Sequence, residues 1–98
     1  MEVRPEVQRF VDHGPLPSED DATEEEVASR QTELEAISGP ASTEEAGLLL
    51  GTFGPDDCFG LAWTLLHLIE TAPSSPVTSP PEPDANEWVR RLWDRAHR

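Results

Sequence analysis

The stretch Phe53–Pro73, FGPDDCFGLAWTLLHLIETAP, is the one long apolar part of the chain and decides its fold. Between Cys58 and Ile69, the apolar side chains fall on every side of a helix drawn at about 3.6 residues per turn. A helix that is apolar all round lies inside a fold. We therefore predict a buried central helix over about residues 56–71, with Asp56 or Asp57 as its N-cap.

Four other segments predict shorter helices around this one. Residues 2–13 carry an apolar stripe, with a proline in the first turn and a Gly-Pro stop. The segments that begin at Thr23 and Ser42 both open with a capping box, in which Glu follows the cap by three residues. No stretch alternates apolar and polar residues as a strand does. The predicted fold class is all-α, a compact bundle of four to five short helices around the central one.

The length of 98 residues is that of a single domain with one core, so residues 1–98 are predicted to form one helical domain. Residues 72–83, APSSPVTSPPEP, hold five prolines and three serines and predict a Pro/Ser-rich linker. Residues 84–98 predict a C-terminal amphipathic helix that opens with the capping-type pair Asp84 and Glu87 and has Trp88 and Trp93 on its wide apolar face. We expect this helix to fold back on the core, and docking onto a partner is the alternative.

The charge balance limits the classes of partner. The chain has 20 acidic and 7 basic side chains, a net charge of −13, and a field of that sign repels nucleic acid and anionic membrane surfaces. Neither is expected as a partner, whereas a basic protein is favoured. The alternative is that the charge serves only to keep a small protein in solution.

Location and source follow from cysteine usage and composition. The single cysteine cannot form an internal disulfide, no segment resembles a signal peptide, and no apolar run is long enough to span a bilayer. We expect a cytoplasmic protein. All seven basic residues are Arg, which together with abundant Pro and Ala suggests a GC-rich bacterial genome.

Residues capable of catalysis or metal binding are few and isolated. His67 and Glu70 have the spacing of half a helical di-iron site, but a second Glu-x-x-His pair is absent, so neither a metal nor another cofactor is predicted. Cys58 is flanked by Asp56 and Asp57, whose charges oppose a thiolate, and a buried inert thiol is expected. Because no group of residues has the composition and spacing of a catalytic site, the chain is predicted not to be an enzyme.

Five residues are candidates for partner binding. Trp63, His67 and Glu70 share one edge of the predicted central helix, and Asp56 and Asp57 stand at its start. An aromatic anchor flanked by charges is typical of interface hot spots. The alternative is that Trp63 is wholly buried in the core.

The segment GLAWTLLHLIET, Gly60–Thr71, resembles small helical immunity proteins of bacterial polymorphic-toxin systems, which carry a Trp and then His-x-Ile-Glu after an acidic loop. The resemblance spans residues 53–73. It implies a cytoplasmic protein that neutralises a toxin by binding it. The first hypothesis is thus a non-enzymatic, immunity- or antitoxin-like inhibitor of a basic toxin, and the second is a helical adaptor whose apolar groove, including Trp88 and Trp93, binds a partner helix.

Overall fold

The computed structural model describes residues 3–97, and every regular element within them is helical. The helices are α1 (Pro5–Asp12), α2 (Glu24–Glu35), α3 (Thr43–Leu49), which continues into a 3-10 turn (Leu50–Thr52), α4 (Leu61–Glu70) and α5 (Glu87–Ala96). The predicted all-α bundle of short helices is confirmed. Glu2 and Arg98, the outer ends of the predicted first and last helices, lie outside the described residues.

The starts of α2 and α3 follow from local sequence. The Thr23 hydroxyl accepts the Glu26 N–H at 3.1 Å, and the Ser42 hydroxyl accepts the Glu45 N–H at 3.0 Å. In return, each glutamate accepts the backbone N–H of its cap residue. Each cap of this kind stabilises a helix start by about 1 kcal/mol. Both predicted capping boxes are confirmed.

The central helix is shorter than predicted. Cys58, Phe59 and Gly60 have φ angles of 48°, 55° and 92°, a left-handed run that no right-handed α-helix can contain. As a result α4 begins only at Leu61, with Gly60 as an N-cap that has no side-chain bond. The predicted start near residue 56, capped by Asp56 or Asp57, is therefore wrong.

Helix α4 packs against α2, α3 and α5, while α1 packs against α2 and α3. The buried side of α4 carries five core residues: Leu61, Ala62, Leu65, Leu66 and Ile69. The opposite side, which includes Trp63 and His67, is open to water. The prediction that α4 is buried all round is wrong, because its neighbours cover one side only.

The C-terminal part of the chain returns to the core. Residues 72–83 contain no helix, and Val77 is buried among the core residues. Helix α5 begins at Glu87 because the side chain of Asn86, and not Asp84, accepts the Trp88 N–H, at 2.8 Å. Trp88 is 1% exposed, so α5 folds back on its own chain as expected.

A buried ion pair joins the beginnings of α1 and α3. The Glu45 carboxylate accepts four N–H groups: the backbone N–H of Arg4 at 3.1 Å, its Nε at 2.9 Å, its Nη2 at 3.1 Å, and the Ser42 N–H at 2.9 Å. The Arg4 guanidinium also donates to the carbonyl oxygens of Ser38 and Pro40. Hydrogen bonds from Arg4 lower the pKa of Glu45 to about 2.

Among residues 3–97, no helix combines the length and the apolar character needed to cross a membrane.

Candidate functional site

The structure distributes the five candidate residues over two neighbouring parts of the chain. Trp63, His67 and Glu70 lie exposed together on the outer edge of α4. Asp56 and Asp57 lie half-buried in the loop 56–60, which leads into that helix. Both parts carry an exposed aromatic side chain.

The outer edge of α4 is built around Trp63, which is 39% exposed. Its ring centroid lies 5.1 Å from that of Trp88 in an edge-to-face pair and 6.1 Å from that of His67. The Arg91 guanidinium covers both indoles, 5.3 Å from the Trp63 centroid and 4.4 Å from the Trp88 centroid. The alternative of a wholly buried Trp63 is wrong, because α5 covers only part of its ring.

The charges of this edge are mixed. The Glu70 carboxylate accepts Nε and Nη2 of Arg95, at 2.6 Å and 3.0 Å, and these bonds raise the pKa of Arg95. Arg91 pairs with Glu87 at 3.3 Å on the same helix. Glu70 is therefore half of an ion pair with α5, and Trp63 is framed by two guanidinium groups as well as by acids.

The loop 56–60 is tied to the acidic segment that precedes α2. The Asp56 carboxylate accepts the Cys58 N–H at 3.0 Å and the Glu19 N–H at 2.9 Å. In the opposite direction, the Glu19 carboxylate accepts the Phe59 N–H at 2.9 Å. These bonds hold Cys58 and Phe59 in the left-handed conformation. Asp56 thus stabilises the loop, and not the helix start that the sequence predicted.

Asp57 and Cys58 face inward from the same loop. The Asp57 carbonyl oxygen accepts the Ala62 N–H at 3.0 Å, and its Oδ1 is buried with no hydrogen-bond partner among residues 3–97. The Cys58 thiol is fully buried, and its pKa is raised by burial and then by the charges of Asp56 and Glu19. Such a thiol is inert, as the sequence indicates.

Phe59 is the surface residue that sequence reasoning missed. Among residues 3–97 it is the most exposed large apolar side chain, at 61%, compared with 39% for Trp63 and for Leu48. It borders a groove of about 340 Å³ that runs from the residues just before α2 along the first two turns of that helix, lined there by Ala22, Thr23, Glu24, Val27, Ala28 and Gln31. The sequence holds one indication that a turn interrupts the helix here: Asp56 and Asp57 favour a turn, and the Gly60 that follows them favours positive φ.

Within the described residues 3–97, no three His, Cys, Asp or Glu side chains come together to hold a metal ion. The fold and surface define an acidic all-α bundle that exposes two aromatic side chains, Phe59 beside the acidic segment before α2 and Trp63 on the outer edge of α4. The chain matches no protein-family model, no curated protein and no solved structure. Exposed aromatic rings and charged groups of this kind are able to take part in noncovalent recognition.

Proposed function

We propose that this chain is a non-enzymatic binding protein of the bacterial cytoplasm that inhibits a basic toxin by binding it, in the manner of an immunity protein. One observation carries the proposal: a protein of net charge −13 leaves Phe59 61% and Trp63 39% exposed. Burying a fully exposed large apolar side chain contributes about 1.5–3 kcal/mol, and covering the exposed part of these two rings contributes a fraction of that. Aromatic residues are accordingly enriched in the buried centres of protein interfaces.

Charge supports a basic partner. A strongly acidic protein attracts basic molecules over distances beyond contact, which raises their association rate. Nuclease toxins tend to be basic, so the same field that disfavours nucleic acid favours such a toxin. The segment that resembles immunity proteins includes Trp63, one of the two exposed aromatic residues.

The adaptor alternative is less well supported. It requires Trp88 and Trp93 to form a surface groove for a partner helix. Trp88 is instead buried between the rings of Phe53 and Trp63, with centroid distances of 6.1 Å and 5.1 Å. Trp93 is half-buried and stacks on His97 at 3.7 Å. One of the two residues is therefore already used by the core of its own chain.

The test is rescue of cells that express the toxin-like C-terminal domain of the protein encoded next to this one. We expect the wild-type chain to restore growth and to co-purify with that domain. Phe59→Asn, at the more exposed of the two aromatic positions, should weaken rescue, while Leu48→Asn, at an exposed position on α3, should not. The absence of such a neighbour, or failure of both rescue and co-purification, contradicts the proposal.

A salt titration of the purified pair separates the two hypotheses. Raising ionic strength from about 0.01 M to about 0.15 M shortens the range of electrostatic attraction from about 30 Å to about 8 Å. The association rate of a basic toxin should fall steeply over that range. An adaptor that binds through an apolar groove would show little change.

A further inference from the structure

The surface around Phe59 is negatively charged, and the acidic segment that forms it contains no basic residue. Residues 16–29 contain six acidic side chains and no basic one: Glu19, Asp20, Asp21, Glu24, Glu25 and Glu26. The next basic residue, Arg30, is 3% exposed and donates inward to the carbonyl oxygens of Phe10, Gly14 and Pro15. The outer side of α2 therefore gains no positive charge from Arg30.

Within this acidic surround lies the apolar groove between Phe59 and α2. Phe59, Ala22, Val27 and Ala28 give it an apolar lining, and Thr23, Glu24 and Gln31 complete its walls. The Glu19 carboxylate accepts the Phe59 N–H at 2.9 Å, which fixes the backbone that carries the ring. A groove of this composition accepts an apolar side chain and places cations beside it next to carboxylates.

We propose that the groove between Phe59 and the first half of α2 is the docking surface for a basic segment of the partner protein, in which an apolar side chain is flanked by Arg or Lys. This rests on the proposed function and names the interface that carries it. Charge complementarity selects this groove over the α4 edge, where Arg91 and Arg95 stand beside Trp63 and already pair with Glu87 and Glu70, which leaves those carboxylates less available to a basic segment.

A second copy of the chain is the other occupant to consider. The only described arginine-rich helix is α5, among residues 3–97, and its apolar side is used internally, with Trp88 and Leu92 buried. Trp63 is exposed between Arg91 and Arg95, but both arginines are already paired within the chain, with Glu87 and Glu70, and a net charge of −13 on each copy opposes self-association. A heterologous basic protein therefore fits the groove better than self-association does.

The experiment uses the full-length chain, labelled with ¹⁵N, and a synthetic peptide of about 15 residues with Leu and Phe on one helical face and Arg on the other. A second peptide carries Glu in place of every Arg. We expect the basic peptide to shift the amide resonances of Phe59 and residues 22–31, and the acidic peptide to shift none. Phe59→Asn should weaken binding at least about tenfold, whereas Leu48→Asn should leave it unchanged.

Asn is chosen because it tolerates positive φ, so the variant keeps the loop while losing the ring. Phe59→Gly is a second compatible variant, and retained dispersion of the amide spectrum verifies both folds. The inference is overturned if the basic peptide does not bind, if it binds no better than the acidic peptide, or if its shifts are confined to the Trp63 edge. It is also overturned if Phe59→Asn binds with unchanged affinity, or if the chain self-associates through the groove. If wild-type rescue persists in any of these cases, the proposed function stands without this interface. Loss of wild-type rescue contradicts the function itself.

Discussion

Replacing Glu45 by Gln tests the buried ion pair that joins α1 to α3. The residue is 2% exposed, and both carboxylate oxygens accept N–H groups, from Arg4 and from Ser42. A glutamine would turn an NH₂ group toward these donors and remove the charge that Arg4 faces. Breaking a buried pair costs about 3–5 kcal/mol, and because Arg4 is one-third exposed we expect a loss of about 2–3 kcal/mol at neutral pH.

The pKa of Glu45 sets the pH range of this effect. The hydrogen bonds from Arg4 lower it from 4.5 to about 2, which at about 1.4 kcal/mol per pH unit corresponds to about 3.5 kcal/mol, an upper limit because Arg4 is one-third exposed. The folded protein holds this carboxylate ionised more strongly than the unfolded chain does. The stabilisation is therefore fully present above about pH 4.5 and is lost as the pH falls toward about 2.

The assay is urea unfolding followed by tryptophan fluorescence, from neutral pH down to about pH 2.5. The difference in unfolding free energy between wild type and Glu45→Gln should shrink from about 2–3 kcal/mol to below about 1 kcal/mol over that range. Glu44→Gln makes the same charge change at an exposed neighbouring position and should stay within about 0.5 kcal/mol of wild type. A difference for Glu45→Gln that stays constant with pH would refute the reasoning, because a packing defect would then be the cause.

Other predictions test the loop and the glycines. A thiol reagent should modify Cys58 only in urea, since the thiol is fully buried and its pKa is raised; rapid modification of the folded protein would contradict this. Gly54→Ala should cost about 2–3 kcal/mol in urea unfolding because the new methyl group overlaps the Leu16 carbonyl. Gly47→Ala, a helical position with open space, should instead stabilise by up to about 1 kcal/mol. Phe59→Gly should stabilise by about 0.5–1 kcal/mol by relieving a φ of 55°, and a loss of stability would show that the ring contributes packing.

The elements that could be predicted are those whose stabilising contacts form between residues close together in the sequence. The capping boxes at Thr23 and Ser42 need only a hydroxyl and a glutamate three residues on, so both helix starts could be located. The start of α4 could not, because the left-handed run at 58–60 is held by Glu19, which is 40 residues away from Phe59 along the chain. Apolar periodicity favoured a helix through this run.

The candidate site was only partly accessible from sequence for the same reason. Periodicity placed Trp63, His67 and Glu70 on one edge of α4, and the structure has them there. It could not show that Arg95, 25 residues further on, would pair with Glu70. Exposure is likewise a tertiary property, so Phe59, an apolar residue in an apolar stretch, gave no sign that it would face water.

Cys58 and Phe59 both have positive φ, but they differ in which contacts offset the free-energy cost of that conformation. A left-handed non-glycine residue costs about 1–2 kcal/mol. For Cys58, that conformation places a fully buried side chain in the core, where burial offsets the cost. Phe59 is 61% exposed, so its conformation is offset by few contacts within the chain. Glycine would suit that position better for stability alone. An exposed aromatic ring that is held in a strained conformation by the Glu19 carboxylate is the arrangement expected of a residue whose favourable contacts form with a partner.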